Sequence, residues 1–175
     1  MTTIRSERPA EAPAREALLD LAYGPSRFSK PSQRLREGRP PALALVAIEE
    51  GRLVGTVRLW PVLAGHSPAL LLGPLAVHPD FRCRGIGAAL MRRAIGAAGR
   101  AGHSAVLLVG DASYYARFGF TAAQAGGLSI GGAVAPARLL GLELARGALD
   151  GARGALRPDE RRRPAPITSR VAHAA

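Results

Sequence analysis

Cysteine occurs once in this chain of 175 residues, at Cys83, and lysine once, at Lys30. A lone thiol excludes an internal disulfide and leaves no cysteine cluster for a metal; no metal is expected. Aromatic residues make up only 5%, with Trp60 the single tryptophan, which is poor material for the stacking platforms that hold single-stranded nucleic acid. No uncharged apolar run of membrane-spanning length is present, so no transmembrane helix is expected. The opening residues, MTTIRSERPAEAPAR, lack the apolar core of a signal peptide. A soluble, cytoplasmic protein is therefore expected.

Against these absences stands a hydrophobic content of 47%, enough for one sizeable core. Basic residues dominate: the formal net charge is +11. Residues 81–110 hold Arg82, Arg84, Arg92, Arg93 and Arg100 and no acid. Such a local excess suits a ligand carrying several phosphates. Nucleic acid is not the expected partner, because aromatics are sparse and no known binding module appears.

The most informative stretch is LAVHPDFRCRGIGAALM, residues 75–91. A short apolar run turns at His78-Pro79-Asp80, passes through Arg82-Cys83-Arg84-Gly85-Ile86-Gly87 and enters an amphipathic helix. A helix start has N–H groups without intrahelical partners and a partial positive charge. Gly85 and Gly87 leave those groups open, and Arg82 and Arg84 add formal charge, so a pyrophosphate fits there. A Walker loop is excluded, since the only lysine lies far upstream. A dinucleotide fingerprint is excluded too, since Leu90 stands where its third small residue belongs.

What remains, Arg-x-x-Gly-x-Gly after Val77-His78-Pro79, resembles the acyl-CoA signature of the GNAT superfamily of N-acyltransferases. A second block, GDASYYARFGF at residues 110–120, matches the superfamily's Tyr-x-x-x-Gly-Phe spacing at Tyr115, Gly119 and Phe120. The paired tyrosines, the preceding Gly110-Asp111 and the later LLGLEL-x-x-GAL run resemble the YhbS-like subgroup. The resemblance covers roughly residues 3–150. It implies an α/β fold: a single GNAT-like domain whose mixed, mostly antiparallel sheet has a central splayed parallel strand pair and is flanked by helices. It also implies acetyl-CoA as cosubstrate, bound by the turn from Arg82 through Cys83, Arg84, Gly85 and Ile86 to Gly87 and by the backbone of Leu75, Ala76 and Val77. Direct acyl transfer to a primary amine follows, with Tyr115 protonating the departing thiolate. The acceptor, a small molecule or a protein amine, is not legible, nor are the acyl length and the oligomeric state.

The pattern along the chain supplies the elements. A strand is expected at 2–6, a helix from Glu11 to about Leu21 and a second short helix at 31–37. Strands at 42–49 and 52–60 flank a hairpin turn at Glu50-Gly51. The strand at 68–77 contains Pro74, which cannot donate to a ladder and marks an edge or bulge. In the resembled family this strand is bulged, and the pantetheine arm lies in the notch so formed. A helix at 85–100 buries Ile86, Leu90, Ala94 and Ala97 and leads to a parallel strand at 104–110, completing a βαβ unit. A short helix at 112–118 and a late strand at 137–145 follow, although helix is not excluded for the latter. The domain is placed at 1–157, with 158–175 as a disordered tail containing proline and basic residues.

Tyr115 is the candidate acid, because a phenol near pKa 10 keeps its proton at neutral pH. Tyr114 is assigned to packing or pocket lining. No general base is legible: Glu49 and Glu50 look like turn charges, and His78 suits a loop hydrogen bond. Cys83 stands where similar proteins often have glycine; a redox role and neutral replacement at a tolerant turn are the two readings, the second preferred. A non-catalytic acyl-CoA sensor on the same scaffold is the rival to an enzyme, since fold alone does not fix activity.

Overall fold

The computed structural model describes residues 1–162. Strand β1 (Thr3–Ser6) leads to helix α1 (Ala12–Tyr23), and β2 (Leu43–Glu49) and β3 (Arg52–Ala64) form a hairpin. Strand β4 (Ser67–Val77), helix α2 (Ile86–Arg100) and strand β5 (Ala105–Val109) follow. Then come a one-turn helix α3 (Ala112–Tyr115), β6 (Leu128–Ser129), β7 (Leu139–Glu143), β8 (Gly154–Ala155) and β9 (Arg157–Pro158). The main sheet runs β1-β2-β3-β4-β5-β7, with β9 on the far part of β3. Its β4–β5 pair is parallel and its other pairs are antiparallel. This is the GNAT-like α/β architecture expected from the sequence.

Glu50 and Gly51 both have positive φ, 48° and 77°, the combination that lets a two-residue turn follow the twist of its strands. Residues expected as a helix at 31–37 form instead a short 3₁₀ segment, Pro31–Leu35. Within the run 137–145, Leu139–Glu143 is strand and pairs with β5, while Pro136–Arg138 before it forms a 3₁₀ turn.

Side-chain alternation covers both faces of the sheet. Leu70 and Leu72 of β4 and Val106 and Leu108 of β5 pack under α2, while Leu71 and Leu107 face the opposite cluster with Trp60 and Leu139. Helix α1 covers the end of β4 through Leu18, Leu19 and Ala76. The buried stripe of α2 is Ile86, Leu90, Met91, Ala94 and Ala98. Ala97, expected in that stripe, is only half-buried, and Ala98 replaces it because the stripe drifts with the 3.6-residue turn.

The central pair parts early. Register between β4 and β5 consists of Leu70↔Val106 and Leu71↔Leu107. On the other edge of β4 the pairing steps from Leu59↔Leu72 to Val57↔Leu75, so Gly73 and Pro74 bulge. Pro74 has no N–H to offer, and Gly73 has φ 129°. The Trp60 indole N–H donates to the Gly73 carbonyl at 2.7 Å and fixes the bulge from the other face.

The described chain continues in the sheet past residue 157, the expected end of the domain. Pro158 pairs with Val62, and the Asp159 N–H donates to the Pro61 carbonyl at 3.1 Å. This two-residue strand occupies the stretch of β3 beyond the end of β2 and carries no pattern readable in sequence. The remainder of the expected tail, 163–175, lies outside the described residues. Among the described residues, no helix is long and apolar enough to cross a membrane.

Gly55 of β3 lies directly beneath α2: a Cβ there would stand 2.9 Å from Leu90 Cδ1 and 3.2 Å from Ile86 Cγ2. Gly55→Val is therefore expected to lift the helix and cost about 1–3 kcal/mol. A urea melt would show a lowered midpoint; an unchanged midpoint would mean that the helix does not depend on this close approach.

Candidate active site

The turn between β4 and α2 is held by local bonds. His78 Nδ1 accepts the Asp80 N–H at 3.3 Å, and its ring meets Phe81 edge-on; this is the loop role expected of it. Arg84 is engaged elsewhere, with Glu49 at 3.2 Å and over the Phe81 ring. Arg82 is exposed, has no ion-pair partner among the described residues and lines a groove with Val77, Gly87 and Tyr114.

The two glycines of the turn have different physical roles. Gly85, with φ 75°, adopts the left-handed conformation that starts α2, and nothing would obstruct a Cβ there. Gly87 faces the groove, its missing Cβ 3.6 Å from Val77 and 3.7 Å from the Tyr114 hydroxyl. Helix α2 has no side-chain cap. Its first return bond runs from the Ala89 N–H to the Gly85 carbonyl, so the N–H groups of residues 86–88 have no intrahelical partner. The Ile86 side chain is core; only its backbone is available to a ligand.

Antiparallel pairing sorts the notch residues. The His78 N–H donates to the Val54 carbonyl at 2.8 Å, and by alternation the backbone of Ala76 also faces β3. Leu75 and Val77 turn their backbone groups the other way, into the notch. The Tyr23 hydroxyl confirms this direction by donating to the Leu75 carbonyl. Ala76 thus supports the notch, while Leu75 and Val77 present N–H groups to it.

Tyr115, at the end of α3, lines the cleft on the far side of the notch together with Leu72, Gly73 and Leu108. Its ring lies edge-on to Tyr114 at 4.9 Å and to Phe120 at 6.1 Å. Gly110 makes room for it, since a Cβ there would fall 2.2 Å from Tyr115 Cε2. The Asp111 carboxylate accepts the Ser113 N–H at 2.9 Å and starts α3. Burial pushes the Tyr115 phenol up to about 12, with Tyr23 and Tyr114 adding to it and Arg138 opposing.

That cleft has a volume of about 530 Å³. Its walls come from the segment after α1 and from the chain before β7, where no site residue is legible in the sequence. They contribute Arg27, Lys30, Arg36 and Arg138, and among the described lining residues there is no carboxylate or histidine. Arg27 is satisfied by Glu16 and Asp20. Tyr23 lines both the cleft and the Arg82 groove and separates them. Burial raises its phenol, opposed by Arg36 and Arg82 on either side. Glu49 is tied to Thr2 and Arg84, away from the cleft.

Residues 40–122 match the model of an acetyltransferase (GNAT) domain. The N-acetyltransferase YhbS of Escherichia coli K12, named as uncharacterized, is 34% identical over 120 residues, covering 67% of this chain and 72% of that protein. The crystal structure of Escherichia coli YhbS in complex with CoA superposes with a TM-score of 0.79 at 30% identity, covering 91% of this chain and 90% of that one. A GNAT-family acetyltransferase of Brucella melitensis in complex with acetyl-CoA gives a TM-score of 0.65 at 29% identity, covering 82% and 88%.

Cys83 is exposed and has φ 61°, a left-handed conformation that costs an L-residue roughly 1–2 kcal/mol and glycine little. Cys83→Gly is therefore expected to raise stability by about 0.5–1 kcal/mol in chemical denaturation, after glycine's larger unfolded-state entropy is subtracted. A destabilised variant would show that the thiol makes contacts that outweigh the backbone strain.

Proposed function

Because the chain belongs to the GNAT family of acetyltransferases, we propose that it transfers an acetyl group from acetyl-CoA to a primary amine by direct attack. The observation that supports this most is the notch itself. Unpaired backbone N–H groups, a helix start without a side-chain cap and an uncommitted Arg82 border the groove on one side of Tyr23, Tyr115 lines the cleft on the other, and Leu75 is common to both. Those are the groups that a thioester carbonyl, a pyrophosphate and a leaving sulfur each need.

In this reading the CoA phosphates rest on the N–H groups of residues 86–88 and on Arg82. The pantetheine arm follows the splayed edge of β4. The Leu75 and Val77 N–H groups polarise the carbonyl and stabilise the oxygen as it gains charge. The amine approaches from the cationic cleft, where Lys30, Arg36 and Arg138 disfavour an ammonium ion and lower the amine's pKa. That field does the work for which no base is present among the lining residues.

Burial raises the Tyr115 phenol, so it keeps its proton across the working range and can donate it to the sulfur as the C–S bond breaks. Nitrogen forms the new C–N bond and sheds a proton, and the thiolate takes one up, so protons balance over the turnover.

Tyr115→Phe keeps the ring in its Gly110 seat and deletes the donor. Turnover is expected to fall by about a hundredfold or more with acetyl-CoA affinity little changed. Turnover near wild type would reduce Tyr115 to packing, and the absence of CoA release with any amine would favour the sensor reading. A phenol titrating near 12 stays protonated across the working range, so it adds no descending limb to the rate profile below about pH 10. A limb in that range that vanishes in Tyr115→Phe would show that the phenol titrates lower than its burial implies, while keeping it as the donor. Gly87→Val, which fills the groove beside Val77, is expected to weaken CoA binding strongly in calorimetry while the fold is kept.

A further inference from the structure

The Arg36 side chain has no hydrogen bond or ion pair among the described residues, and its Nε is buried without a partner. The guanidinium lies against the bulge, its Nη2 only 3.0 Å from where a Cβ of Gly73 would stand. A cation removed from water and left unpaired is costly, and proteins normally avoid it. Lys30 and Arg138 line the same cleft. Lys30 lies over the Tyr23 ring at 4.3 Å, and Arg138 makes no direct ion pair among the described residues, although its charge acts on the Asp111 carboxylate. The unpaired Arg36, its Nε buried, is thus joined by two solvent-exposed cations, Lys30 and Arg138, at a cavity of about 530 Å³, a volume suited to a small molecule rather than a polypeptide chain.

We propose that the acceptor is a small amine that also carries an anionic group, a carboxylate or a phosphate, which Arg36 binds with Lys30 and Arg138 around it. This rests on the acetyl-transfer reading and specifies the substrate class of that same site. A guanidinium presents paired donors that match either anion. The anion would satisfy the buried Nε and cancel the cleft's field at one end, while the amino group at the other end stays in a field that keeps it neutral. The polarity of the site then sets which end of the acceptor meets the thioester. Two supporting effects agree with a guanidinium awaiting a counter-ion. Burial pulls Arg36 down to about 10, and Lys30 is lowered by burial and by its neighbours Arg36 and Arg138.

The test compares amines in matched pairs with acetyl-CoA: glycine against glycinamide, and phosphoethanolamine against ethanolamine. The anionic member of at least one pair is expected to have a kcat/KM tenfold or more above its neutral partner, and the pair that responds identifies carboxylate or phosphate. In Arg36→Gln that ratio is expected to fall by about 10–100-fold, the usual worth of a charge-assisted bond, whereas Arg36→Lys keeps part of it. Equal rates within both pairs, or a preference that survives Arg36→Gln, would overturn the proposal. If no pair is turned over, inorganic phosphate titrated into the CoA-bound protein decides. Saturable heat that is lost in Arg36→Gln supports the proposal, and no saturable heat overturns it. Failure of the wild-type protein to bind CoA would instead defeat acetyl transfer, and this inference with it. The ligand-free Arg36→Gln protein is expected to melt at or above wild type, since it loses an unpaired cation; a sharp loss of thermal stability would show that Arg36 is structural.

Discussion

Everything in the site depends on one place where a sheet fails to close. Backbone N–H and C=O groups inside a protein are almost always paired, and a parallel strand pair normally continues its ladder for its whole length. Here the ladder between β4 and β5 ends after Leu71, because Gly73 and Pro74 insert a bulge and Pro74 supplies no donor. The groups beyond the bulge are left facing a gap. The proposed thioester contacts draw on their unmet hydrogen bonding, and the packing of α1, α2 and Trp60 around β4 holds the gap open.

Around that gap the protein divides its positive charge between two compartments. Arg82 and the start of α2 stand on one side of Tyr23, and Lys30, Arg36 and Arg138 on the other. The charge on the first side is exposed and cheap; on the second, Lys30 and Arg138 are exposed as well, and Arg36 alone is withdrawn from water without a partner, at a cost in stability. The fold tolerates this because the rest of its stability comes from the two apolar clusters on either face of the sheet. Elsewhere charge is neutralised locally: Glu7 receives both Arg15 and Arg58, joining α1 to β3.

Much of the fold was legible because it is written in short-range patterns. The apolar period of α2, the Glu50-Gly51 turn and the proline inside β4 each report on residues only a few positions apart. The Arg82–Gly87 turn before α2 and the one-turn helix at Tyr115 were legible as local structure for the same reason. The second cleft was not. Arg36 lies on irregular chain after a 3₁₀ segment, Arg138 in a loop before β7, and neither carries periodicity that marks it off from the other arginines. Only the sheet order brings them together. Gly110 could have been singled out from the Gly-Asp that precedes the tyrosines, but its purpose, clearing space for the Tyr115 ring, exists only in three dimensions. The positive φ of Cys83 likewise has no local signal beyond the glycine usual in similar proteins.

Trp60 bonds through its indole to the carbonyl of Gly73, and it is the only tryptophan in the chain. The three tyrosines, Tyr23, Tyr114 and Tyr115, all border the grooves on either side of that bulge. Every strongly absorbing side chain of this protein therefore surrounds one small volume. Its near-ultraviolet absorption, circular dichroism and intrinsic fluorescence are in effect local measurements of the notch, made without any label. A ligand that shifts the Gly73 carbonyl changes the hydrogen bond of the sole indole, and one that touches only the distant surface leaves the spectrum alone.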